Sequence, residues 1–168
     1  RRTSAALGPG AAGGLGWAGI ASRLTQDSTA GLREGARTTR AAQGAAEDDI
    51  VVYDVPGAFE LPMTASRLAA GRCAAIICLG ALIKGETPHF EYLCSAVAHG
   101  IQEVGIRSGV PVIFGVLTCE HRDHAEARAG GDKGNKGAEA AIAAIEMVNL
   151  FSSISAASHS DGQASSRP

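Results

Sequence analysis

Residues 73–104 read CAAIICLGALIKGETPHFEYLCSAVAHGIQEV, and a change of pattern inside them decides the fold. Cys73–Gly80 (CAAIICLG) is short, β-branched at its centre and almost continuously apolar, as a strand buried on both faces of a parallel sheet reads. From Phe90 the period changes. Leu93, Cys94, Val97, Ile101 and Val104 recur at spacings of three and four, which draws one apolar stripe along a helix. Between the two lies Lys84-Gly85-Glu86-Thr87-Pro88-His89, where Thr87 suits an N-cap and Pro88 the first helical position, its missing N–H being an orphan there anyway.

The same rhythm extends outward on both sides. Ile50–Asp54 (IVVYD) and Pro111–Leu117 (PVIFGVL) are further buried strands, and Trp17–Ala21 (WAGIA) is a fourth, weaker one. Residues 137–150 (GAEAAIAAIEMVNL) form a second clear helix, with weaker helical patterns over Asp27–Gln43 and Pro62–Ala70. Strand and helix in alternation predict right-handed βαβ crossovers and a three-layer α/β/α fold, a four-stranded parallel sheet flanked by helices. Ligands of such sheets sit beyond the carboxyl ends of the strands, which directs attention to the segments after residues 54, 80 and 117. Residues 1–16 and 152–168 are small and polar and read as disordered tails around one domain over 17–151.

Composition excludes several classes. The chain has 168 residues, a formal net charge of −2 and seven aromatics (4 Phe, 2 Tyr, 1 Trp), so neither a phosphate-backbone footprint nor a base-stacking platform is present, and no nucleic-acid partner is expected. No apolar run reaches the roughly 18 residues a membrane span needs, so no membrane partner is expected either. Cysteines 73, 78, 94 and 119 lie mostly in apolar stretches without CxxC spacing, which fits buried thiols in a reduced, cytoplasmic protein. The chain starts with Arg rather than Met, and its Arg-, Ser- and Ala-containing beginning fits the remnant of a plastid transit peptide; an apolar signal-peptide core is missing from it.

Three segments carry candidate chemistry. At the start of the 90–104 helix, the free first-turn amides and the helix dipole form a ready anion site, and His89 stands where the positive dipole end disfavours imidazolium, so a neutral ring can accept and return a proton. A capped helix with an exposed histidine explains the same residues equally well. Val55-Pro56-Gly57-Ala58-Phe59-Glu60 presents a ring and an acceptor just past a strand; read alone, it is more simply a turn with Phe59 buried and Glu60 capping the next helix. Arg128–Gly137 (RAGGDKGNKG) holds four glycines and three cations in ten residues, which suits an oxyanion, or else a flexible helix–helix loop with solvated lysines. Gly8–Gly13 matches GxGxxG with no strand before it, and residues 130–137 lack the Gly-Lys-Ser/Thr of a Walker motif. Cys119, His121 and His124 could suggest a metal, but one turn of polar helix explains the two histidines more cheaply, so none is expected.

Together these segments are far more specific. VPGAFELP (55–62), CLGALIKGETPHFEY (78–92), GVPVIFGVLTC (109–119), RAGGDKGNKG (128–137) and AAIAAIEM (140–147) closely resemble the lumazine synthase family, with order and spacing kept from about residue 50 to 151. The resemblance implies a flavodoxin-like fold, a homopentamer whose active sites are shared between neighbouring subunits, and the penultimate step of riboflavin biosynthesis. That step condenses 5-amino-6-(D-ribitylamino)uracil with 3,4-dihydroxy-2-butanone 4-phosphate, releases phosphate and water, and uses no cofactor. Position by position, the resemblance makes His89 the proton-transfer residue and Arg128 the phosphate-binding arginine, lent across a subunit boundary and assisted by Gly85, Glu86 and Thr87. Ala58, Phe59, Glu60, Leu82 and Ile83 match the pocket around the pyrimidine and ribityl chain, and Phe114 and Lys136 match residues reaching in from the adjacent subunit.

The departures lie upstream. Where the family usually carries Arg-Phe-Asn after its first strand, this chain has Arg23-Leu24-Thr25, and leucine offers apolar contact without ring stacking. An active enzyme with a weakened Michaelis complex is expected, with a non-catalytic flavin-binding or shell-forming homologue as the rival reading. The linker at 131–134 carries no insertion, which resembles members that build icosahedral shells of 60 subunits from pentamers. Association with riboflavin synthase follows as a further implied partner.

Overall fold

The computed structural model describes residues 16–44, 50–71 and 73–164. The elements run β1 (Gly16–Ser22), α1 (Gln26–Ala42), β2 (Ile50–Val55), a 3-10 turn (Ala58–Glu60), α2 (Leu61–Ala69), β3 (Cys73–Ile83), α3 (His89–Ser108), β4 (Val112–Cys119), α4 (Arg122–Arg128), the short strands β5 (Ala129–Gly131) and β6 (Gly134–Asn135), and α5 (Lys136–Ala164). The main sheet is parallel throughout, in the order β2-β1-β3-β4. This is the three-layer α/β/α architecture read from the alternation of patterns.

Strand β3 shows why its sequence has no polar face. Ala75, Ile77, Leu79 and Ala81 point to one side, into a core with Trp17, Leu32, Leu117 and the α5 residues Ala140, Ala141 and Ala144. Ile76, Cys78 and Leu82 point to the other, into a core with Ile20, Leu61, Val97 and Ile101. A strand sandwiched between α1/α5 and α2/α3 gains from apolar side chains at every position. Burial pushes the Cys78 thiol up to about 12, so it serves as a small apolar filler. Helix α3 ends at Gly109, whose φ of +71° makes the left-handed turn. Helix α5 approaches α1 so closely that a Cβ at Gly137 would run into the Leu32 carbonyl.

Several expectations are corrected. Strand β3 continues to Ile83, so Leu82 and Ile83 are strand residues, and β4 starts after Pro111. Helix α3 starts one residue later than expected: Pro88 is the N-cap, and no side chain caps the helix, so Thr87 does not play that part. Gly16 belongs to β1; the rest of the expected N-terminal tail, residues 1–15 with the Gly8–Gly13 decoy, lies outside the described residues. Residues 152–164, expected as tail, continue α5. Serines there do not break the helix, because Ser152, Ser153 and Ser158 donate back to the carbonyls of Val148, Asn149 and Ile154. Contrary to the expectation that no apolar stretch reaches span length, α5 over Lys136–Ser158 has the length and mean hydropathy of a membrane span. Its first half packs onto the sheet through Ala140, Ala141 and Ala144, while Leu150, Phe151 and Ile154 further along stand exposed.

Candidate active site

Strands β1 and β3 are neighbours, yet the chain leaves β1 into α1 on one face and β3 into α3 on the other. Their carboxyl ends therefore flank a crevice, the usual ligand position in an open α/β sheet. Around it stand Leu24, the 58–60 turn and the β3–α3 junction.

The side of the crevice next to α2 and α3 is built as follows. Ala58 and Leu82 are 5% and 8% exposed and belong to the core beneath, so they set the floor rather than present side chains. Phe59 is 58% exposed, which corrects the simpler reading that buried it; the ring stands free at the rim. Glu60 Oε2 accepts the Gly57 N–H at 2.9 Å and closes the 3-10 turn that displays that ring. Ile83 is half-buried at the strand end, and Gly85, Glu86, Thr87 and His89 are exposed. With no side chain capping α3, its first-turn amides and dipole are open to an anion. Lys84 ties this junction down: its Nζ lies 3.2 Å from Glu120 beyond β4 and 4.0 Å from Glu91 in the first turn of α3.

The cations lie elsewhere on the chain. Arg128 and Lys136 line a groove of about 450 Å3 along the end of β4, together with Cys119, His124, Lys133 and Glu139. None of the residues 24, 58–60 or 82–89 lines it. Arg128 Nη1 donates to the His124 carbonyl at 3.0 Å, and Lys136 Nζ reaches Glu139 at 2.9 Å. The Cys119 thiol on the groove wall is pushed up by burial, an effect the Arg128 guanidinium partly offsets. Phe114 lies on the same outer strand, 36% exposed. What the sequence offered as a flexible loop is a small antiparallel hairpin, β5–β6, with Gly130 and Gly134 at φ of +118° and +85°. It delivers the chain to Asn135, whose Oδ1 accepts the amides of Gly137 and Ala138 while Nδ2 donates to the Gly31 carbonyl. That one side chain caps α5 beside Lys136 and fastens it to α1. The histidines set aside as metal ligands, His121 and His124, meet edge to face at 5.3 Å.

Leu24 is 82% exposed in the connection from β1 to α1. Its neighbour Thr25 forms a hydrogen bond across the crevice, to the Ala81 carbonyl at 3.1 Å. Sequence reading gave Lys84 and Asn135 no role and met Thr25 only as a departure from the family's usual Asn. For Asn135 a signal existed, an Asn directly before a helix; the other two reveal themselves only through partners distant in sequence. A second cavity, about 470 Å3 between α1 and strands β1 and β2, contains none of the candidate residues.

A parallel α/β sheet with an uncapped helix start, an imidazole and an exposed aromatic ring at its carboxyl edge has the arrangement of a small-molecule enzyme site. The family model for 6,7-dimethyl-8-ribityllumazine synthase matches residues 15–152. A 6,7-dimethyl-8-ribityllumazine synthase of Xanthomonas campestris pv. campestris is 51% identical over 113 residues, 67% of this chain and 73% of its own length. One of Desulfosudis oleivorans is 46% identical over 112 residues, 66% of this chain and 71% of its own. The chain belongs to the 6,7-dimethyl-8-ribityllumazine synthase family, and membership makes it a transferase of riboflavin biosynthesis.

Proposed function

We propose that the chain condenses 5-amino-6-(D-ribitylamino)uracil with 3,4-dihydroxy-2-butanone 4-phosphate at a site completed by a neighbouring copy. One observation supports the shared site: Arg128 and Lys136 line a groove along the end of β4, and His89 is not among the residues lining it. Two copies side by side would let the β4 edge of one supply Phe114, Arg128 and Lys136 to the crevice of the other.

The chemistry follows from the residues. The pyrimidine's amino group attacks the ketone, and imine formation expels water; His89 takes and returns the protons this requires. Eliminating phosphate leaves a carbonyl on which the ribitylamino nitrogen closes the second ring, expelling a second water. The departing phosphate is held by Arg128, the loop of Gly85, Glu86 and Thr87, and the first-turn amides of α3 just beyond it. Phe59, Ala58, Glu60, Leu82, Ile83 and Leu24 enclose the ring and its polyol chain. Holding two reactants in register supplies a large part of the rate, since positioning alone contributes roughly 7–11 kcal/mol.

The assembly we propose is a pentamer, with pentamers packed into an icosahedral shell. Support comes from the turn between β5 and β6, which is only Asp132-Lys133 and carries no insertion. We place the chain in the cytoplasm, because its four cysteines lie mostly in apolar stretches without CxxC spacing.

Mixing the protein with both substrates tests the function: fluorescent lumazine should appear with stoichiometric phosphate. No product together with tight riboflavin binding would favour a shell that has lost turnover. Size-exclusion chromatography with light scattering separates the pentamer from the shell.

A further inference from the structure

We infer that Thr25 is a positioning residue for the pyrimidine, acting through a hydrogen bond that holds the two walls of the crevice together. The inference rests on the function proposed above and concerns a residue that departs from the family's usual Asn.

The geometry of the sheet explains why the bond exists. The β1–β3 ladder ends at the pair Ala21–Leu79. On β3, the amides of Ile76 and, just past the strand, of Lys84 bond to the β4 side. By the alternation of a parallel ladder, Ala81 therefore turns its carbonyl toward β1, two residues beyond the last pair. A strand carbonyl left there without a donor would be costly. Thr25 Oγ1 supplies the donor, reaching a residue 56 positions away, and takes the place of the next rung. The Thr25 carbonyl in turn accepts both the amide and the hydroxyl of Thr29, which fixes the first turn of α1.

The consequence is positional. Leu24 immediately precedes Thr25, and Leu82 and Ile83 immediately follow Ala81, so each wall of the proposed ring pocket is one residue from an end of this bond. The hydroxyl proton is committed to Ala81 and is not a donor to the substrate. Its work is to set the distance between Leu24 and Leu82–Ile83. Losing it should loosen the grip on the ring without touching proton transfer at His89.

The test compares Thr25→Val, which keeps the shape and loses the donor, with Thr25→Ser, which keeps the donor. Thr25→Val should raise KM for the ribitylaminopyrimidine about three- to tenfold, the range of one partly buried neutral hydrogen bond, with kcat within about twofold of wild type. Thr25→Ser should stay close to wild type. Calorimetric Kd values for the same pyrimidine give the comparison without turnover, and light scattering checks that each variant assembles. Thr25→Val binding the pyrimidine as wild type does, or Thr25→Ser losing affinity equally, would overturn the inference. Wild-type protein that forms no lumazine while the Kd difference persists would count against the functional reading and leave Thr25 in place.

Discussion

The β3–α3 junction and the β4 edge differ in what they need to be useful. The junction is nearly complete: it offers an uncapped helix start, an imidazole, a free Phe59 ring and a buried floor. The β4 edge has cations and a ring, Arg128, Lys136 and Phe114, but lies along the outer strand of the sheet, with its groove separate from the crevice. In the proposed reaction one half would transfer protons and the other hold the phosphate, and forming an imine while expelling phosphate needs both. On the function proposed above, the contrast means that the chain carries two complementary half-sites that meet where two copies adjoin.

The sharpest way to break this comparison is to disable the halves one at a time and ask whether the defects differ in kind. His89→Gln should lower kcat by about 10²- to 10⁴-fold, the usual weight of a positioned acid–base group, with both KM values little changed. Arg128→Met should lower kcat/KM for the phosphate ester by about 100-fold, as expected for a lost charge-assisted contact, and leave the pyrimidine KM alone. Identical kinetic signatures from the two variants would erase the distinction. A milder blow falls on the support of the cation half. Asn135→Ala should cost about 1–2 kcal/mol of stability, measured by denaturant unfolding, because two α5 amides and the Gly31 carbonyl lose their partner. The smallest change sharpens the crevice instead: Leu24→Phe should lower the pyrimidine KM by about three- to tenfold by adding a stacking ring at an exposed position. An unchanged KM would mean that residue 24 does not face the substrate.

Much of the scaffold was legible because its signals are local. The switch from continuous hydrophobicity at Cys73–Gly80 to a stripe of threes and fours after Phe90 locates β3 and α3 directly. Boundaries were less so: the strand continues to Ile83 although Gly80 looks like a stop, and Pro88 takes the cap that Thr87 suggested. The β5–β6 hairpin escaped notice because glycine-rich sequence does not announce its pairing, and the end of α5 because Ser-rich composition resembles disorder while i−4 hydroxyl bonds sustain the helix. For the site, motifs and the resemblance they carry named His89 and Arg128. Linear order says nothing of the surfaces these two occupy. Nor does it pair Thr25 with Ala81, or Lys84 with Glu120, since those contacts exist only once the strand ends are side by side.

The most direct test of the shared site is subunit complementation. His89→Gln and Arg128→Met proteins, each nearly inactive alone, are unfolded together, reassembled and assayed for lumazine. Random mixing in a ring of head-to-tail interfaces should restore about a quarter of wild-type activity, because about one interface in four then joins an intact imidazole to an intact guanidinium. Mixed assemblies no more active than their parents would contradict the shared site and place both groups within a single chain's pocket.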